Sequence, residues 1–113
     1  MAQYEAVLRD RPGDVEVLRR LAWTLATTPQ ASVRDGRRGL QYAQQAAQRT
    51  GGRDPGVLDA LAACLAEAGD FRGAVEVATA ARERVAPDDG DLARGIDERL
   101  RLYRAKRPYR APR

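Results

Sequence analysis

The 113-residue chain reads as an all-α, single-domain protein in which a pair of helices is written twice and then closed by a capping helix. Three observations predict this. Leu18, Leu21, Ala22 and Leu25 fall at i, i+3, i+4 and i+7, one face of an α-helix, and Leu58, Leu61, Ala62 and Leu65 repeat the same four residue types forty positions on. A second set follows each: Gly39, Leu40, Ala43 and Ala46 are matched by Ala74, Val75, Ala78 and Ala81. Such self-similarity is the mark of a repeat architecture. Third, 43% of the residues are hydrophobic but only 5% are aromatic, so the apolar surface is mainly Ala, Leu and Val, which suits closely packed helices better than sheet.

Local signals place the elements in order. Residues 2–12, AQYEAVLRDRP, read as the end of a B-type helix with no A helix ahead of it. Repeat 1 covers 14–51. Asp14 caps its helix A, because a carboxylate there accepts from the free N–H groups of the first turn. Five extra residues lengthen its turn around TTPQASVRD; Asp35 then caps helix B, and Gly51-Gly52 end it. Repeat 2 covers 54–87. Asp54-Pro55 opens its helix A, Ala68-Gly69-Asp70 makes a tight turn into helix B with Asp70 as the cap, and Pro87 closes the unit. The capping helix spans 90–106, with Leu92, Ile96, Leu100 and Tyr103 as its apolar stripe and a charged opposite face. Residues 107–113, RPYRAPR, carry two prolines and form an irregular basic tail.

The second unit resembles a tetratricopeptide repeat. The residues that carry the resemblance are Leu58, Leu61, Ala62, the Gly69-Asp70-Phe71 turn, Ala74, Ala81 and Pro87. The first unit is more degenerate, with a longer turn and Gly39 where Ala is usual, and neither unit has the early Trp or the mid-helix Tyr. RLAWTLAT, RDGRRGL, TGGRDPGVLDALA and the closing LYRAKRPYR are similar to a variant repeat pair at the C-terminal end of long bacterial proteins. The resemblance implies a right-handed stack of antiparallel helix pairs, a TPR-like α-solenoid of about five helices. It also implies a concave groove lined by the A helices, taking a peptide or a partner helix, within a larger parent protein. The orphan half-repeat points the same way: Val7 and Leu8 expose apolar surface that an upstream repeat, a second copy or another protein would cover.

Carried onto this chain, the groove positions are Glu16, Arg19, Arg20, Trp23 and Thr27 in the first unit, and Asp59, Ala63 and Glu67 in the second. Two arginines beside a Trp suit an acidic or carboxylate-bearing ligand, since Arg forms forked hydrogen bonds and Trp supplies stacking area. The alternatives are that Trp23 fills space left by the longer turn and that the arginines are a solvated face. A three-helix carboxylate clamp is not carried over, because Trp23 and Ala63 stand where its asparagine would be.

Charge is unevenly placed. All 16 acidic residues lie at or before Glu98, together with 13 basic ones, whereas Arg99 to Arg113 hold seven basic residues and no acidic one. With Tyr103 and Tyr109 among them, those charges could meet RNA. The favoured alternative is a capping helix docked partly against the acidic body, because Tyr103 lies on the apolar stripe.

Chemistry is poorly provided for. The chain has no histidine, the commonest general base and metal ligand. Its one cysteine, Cys64, lies in LAACLA and reads as a core residue rather than a reactive thiol. Asp88-Asp89-Gly90-Asp91 is too short for an EF-hand loop, with Arg99 where such a loop needs Glu. There is no phosphate loop and no nucleophile elbow. No enzyme activity, metal or cofactor is therefore expected. No apolar run approaches the roughly 20 residues of a membrane span, and the N-terminus is mixed in charge, so a soluble, cytoplasmic chain is expected. The expected function is a scaffold that binds a protein or peptide. Homo-oligomeric self-assembly is the alternative, and nucleic-acid binding by the tail ranks below both.

Overall fold

The computed structural model describes residues 2–112. Among them are six helices and no strand: α1 (Ala2–Asp10), α2 (Val15–Thr27), α3 (Gly36–Arg49), α4 (Pro55–Glu67), α5 (Phe71–Glu83) and α6 (Gly90–Arg104). The N-terminal segment is a helix in its own right, which makes six rather than about five. It stops at Asp10 and α6 stops at Arg104, each two residues short of the expected bound.

The expected caps hold. Asp14, Asp35, Asp54 and Asp70 each accept from a backbone N–H in the first turn of the helix they precede, and Asp89 does the same for α6. Three helices end in one geometry. After α3, Gly52 N donates to Ala47 O and Gly51 N to Gln48 O. After α4, Asp70 N donates to Leu65 O and Gly69 N to Ala66 O. After α6, Arg107 N donates to Leu102 O and Lys106 N to Tyr103 O. This paired bond pattern needs a left-handed residue just past the helix. Gly51 and Gly69 supply it without strain; after α6 it is Lys106, at φ 57°. The reversal at Lys106 turns the tail back across the helices.

Each helix packs on its successor, and α4 also packs on α2. The core is built from small residues. Ala22, Ala26, Ala43, Ala46, Ala62, Ala63, Ala74, Ala78 and Ala81 are buried and let the helices approach closely. Gly39 shows why a side chain is missing there: a Cβ would lie 3.1 Å from both the Ala22 carbonyl and Cys64 Sγ. Cys64 is fully buried, its Sγ 3.5 Å from Ala22 O, and burial pushes the thiol up to about 12, far from the reactive range. Ile96, Leu100 and Tyr103 of α6 close the other end against Leu58, Ala62, Ala74 and Ala78. The long first turn is tied back by Asp35 N to Leu25 O and by Arg34, which reaches Thr28 O and Glu67. No helix among the described residues is long and apolar enough to cross a membrane.

Lys106 carries a left-handed strain that glycine would relieve. Lys106→Gly should raise stability by about 1 kcal/mol, read by urea denaturation. A decrease would mean that the lysine side chain contributes more than its backbone costs.

Candidate functional site

The predicted groove positions divide into two halves. The open half is the start of α2. Here Glu16 binds both neighbouring arginines, Arg19 Nη2 to Oε1 at 2.6 Å and Arg20 Nε to the same oxygen at 2.8 Å. Those hydrogen bonds hold the Glu16 carboxyl down at about 2. Its contribution is complete above the ordinary carboxylate range and is lost as pH falls toward 2; solvent screening keeps it small. Glu16 and Arg20 are exposed and Arg19 is half-buried.

The second half is covered by the chain's own C-terminal segment. At its centre is a buried ion pair. Arg99 of α6 donates from Nε to Asp59 Oδ1 at 2.9 Å and from Nη2 to Oδ2 at 2.8 Å. Asp59 is 6% exposed and Arg99 8%. Burial raises the Asp59 carboxyl, while the Arg99 hydrogen bonds and charge pull it down. Gly95, four residues before Arg99, gives the guanidinium its room: a Cβ there would lie 2.9 Å from Nη2.

Two aromatic rings complete the arrangement. The Arg99 guanidinium carbon lies 5.0 Å from the Trp23 ring centre and 5.1 Å from that of Tyr109, and the two rings are 5.6 Å apart. A desolvated guanidinium against aromatic faces is a favourable contact. The segment continues outward. Arg110 Nη1 pairs with Glu67 Oε2 at 2.7 Å, and Ala111 N donates to Thr27 O at 2.8 Å. Glu67 also holds Arg34, so one carboxylate joins the long turn, α4 and the tail. Tyr103 lies beneath, its hydroxyl buried without a hydrogen-bond partner among the described residues and pushed above its ordinary value by burial, then by the Asp59 charge.

The structure thus brings Trp23, Thr27, Asp59 and Glu67 together under α6 and the tail, and buries Ala63 in the α2–α4 packing with Ala22 and Ala26. An accessible groove along those five positions is not what the chain presents: Thr27, Asp59 and Ala63 are buried, because an apolar strip between two A helices is covered from within the chain. Trp23 meets Tyr109 and Arg99. The basic tail is irregular, as expected, and it is docked: Arg99 and Arg110 are paired with acidic residues of the body.

Arg99, Tyr109 and Arg110 were not among the predicted groove residues. Arg99 had a signal: it lies three residues after Ile96 and four before Tyr103, on the apolar stripe itself, where a charge needs a buried partner. Among the described residues no group of three His, Cys, Asp or Glu side chains could hold a metal ion. Comparison with known protein families, with characterised proteins and with solved structures finds no match to this chain.

Arg99→Lys keeps the charge but loses the fork to Asp59 and the flat face toward the two rings. It should lower stability by about 2–3 kcal/mol and shift the emission of Trp23, the sole tryptophan. A variant as stable as the parent would show that charge alone is what Asp59 requires.

Proposed function

We propose that this chain is a protein-interaction scaffold of TPR-like type, in which the face shared by α2 and α4 receives an extended segment of another polypeptide. The observation that carries this reading is that the face already grips an extended segment, residues 108–111, by the three means such recognition uses. A tilted aromatic contact joins Tyr109 to Trp23, an ion pair joins Arg110 to Glu67, and a backbone hydrogen bond joins Ala111 to Thr27. The repeated pair of capped helices, the tight Gly69 turn and the packing of α4 on α2 support the stacked-pair architecture.

The open half of the face offers first contacts. Arg19 and Arg20 are held ready by Glu16, and a partner carboxylate can exchange with it at little cost, since exposed pairs of this kind are screened by solvent. Nucleic-acid binding by the stretch from Arg99 onward has less support, since Arg99 and Arg110 are already paired with Asp59 and Glu67 and only the exposed Arg101, Arg104, Lys106 and Arg107 could meet phosphate. Self-assembly keeps one specific support. A cleft of 310 Å³ opens between α1, α2 and α3, lined by Leu8, Leu18 and Tyr42, with the Glu5–Arg38 pair beside it. A strict monomer at high concentration in sedimentation would remove that second reading.

The test of the scaffold reading is capture from nuclease-treated lysate by the parent chain and by Arg19→Glu with Arg20→Glu. The double variant should lose the partner while keeping its helical circular dichroism. Undiminished capture by a folded double variant would remove the open half of the face from the binding site.

A further inference from the structure

The ligand chemistry of the α2/α4 face is written in the segment that covers it. We propose that this face is a binding site for a segment of another protein that presents an aromatic residue followed directly by arginine, and that Tyr109-Arg110-Ala111 occupies the site in cis until such a segment replaces it. This rests on the scaffold reading above and adds the ligand class and the competition to it.

The receiving groups all belong to the helices and none to the tail. Trp23 and Thr27 are on α2, Glu67 is at the end of α4, and Arg99 is pinned to Asp59. Removing residues 108–112 would leave an aromatic face, a guanidinium plane, a free carboxylate oxygen and a free carbonyl, spaced for three consecutive residues. Each selects a chemistry. The Trp23 and Arg99 faces take a flat ring. Glu67 takes a cation, and its geometry with Arg110 is that of an ion pair. The Thr27 carbonyl takes a backbone N–H, so the residue after the arginine is not proline.

The cis segment remains partly exposed. Residues 108–111 are half-buried, and the Arg110 side chain remains 33% exposed. Ala111 N to Thr27 O is the one backbone hydrogen bond from this stretch to the helices. The residue that launches it, Lys106, sits in a left-handed conformation that favours glycine. By contrast α6 is anchored by Ile96, Leu100 and Tyr103, so the segment can leave without the helix.

A second copy of this chain is the wrong occupant on grounds of reach. Four peptide steps separate Ala105, the last residue at the end of α6, from Tyr109, and fully extended they span only about 14 Å. While α6 stays docked, its own site is always within that reach, whereas a neighbour's is so only if the two molecules are already in contact there.

The experiment uses the full chain with Tyr109→Ser and Arg110→Ser, and as probe a labelled synthetic peptide of sequence KRPYRAP with blocked ends. The emptied variant should bind the peptide saturably, with a change in Trp23 emission, at least about tenfold more tightly than the parent, whose tethered tail competes at an effective concentration in the millimolar range. Peptides with the tyrosine replaced by serine, or the arginine by glutamate, should not bind. Equal binding by parent and emptied variant, equal binding of a scrambled peptide, or no binding to the folded variant would each overturn the proposal. Should the double variant fail to fold, Arg110→Gln, which leaves Tyr109 stacked, replaces it: tighter peptide binding than the parent supports cis competition, and unchanged binding overturns it. Concentration-dependent dimers of the parent that the peptide dissolves would assign the site to a second copy and overturn the choice of partner. If the peptide fails while lysate capture still depends on Arg19 and Arg20, the scaffold reading stands and only the ligand class falls.

Discussion

The Asp59–Arg99 ion pair is the interaction on which the rest of this structure depends. It joins the second A-type helix to the last helix at the point where the apolar strip between α2 and α4 would otherwise meet water. Two buried charges are costly unless each is matched, and here the match is close: both carboxylate oxygens are used, and the flat guanidinium is met by two rings. Everything nearby follows from seating that guanidinium. Gly95 leaves it room, Trp23 forms one wall, and Tyr109 returns along the tail to form the other.

Around that junction the fold is economical in volume. Most of the buried apolar side chains are alanine, so few of them fill much space and the helices must lie close. Gly39 and Cys64 mark a close approach where α3 meets both α2 and α4. A core of this kind specifies helix spacing well but provides few large apolar anchors. Polar ties therefore take a larger share in holding the periphery: Arg34 and Arg110 on Glu67, Arg38 on Glu5, and Arg82 on Asp97.

Much of this was legible in the residues. The i, i+3, i+4, i+7 apolar stripes gave α2 and α4, four aspartates gave the starts of α2 to α5, and Gly51 and Gly69 gave two of the three left-handed helix ends. The third, at Lys106, was not legible, because lysine carries no preference for that conformation and only the paired bonds to Leu102 and Tyr103 reveal it. The groove positions were carried over from the repeat resemblance by helical phase, which says what faces a neighbouring helix but not what covers it. Trp23, Asp59 and Glu67 were singled out for that reason, while their partners Arg99, Tyr109 and Arg110, forty or more residues distant in sequence, went unrecognised. Pairing across such a separation is fixed by the turn at Lys106 and the seating of α6, which local periodicity does not encode.

The most direct test of the Asp59–Arg99 junction is a double-mutant cycle with Asp59→Leu and Arg99→Met, each stability read by urea denaturation. Each single change leaves one buried charge without its partner and should cost about 3–5 kcal/mol. The double variant, with neither charge, should be more stable than either single one, a strong favourable coupling. Strictly additive losses would contradict it, and would mean that the two side chains are held by their separate surroundings and not by each other.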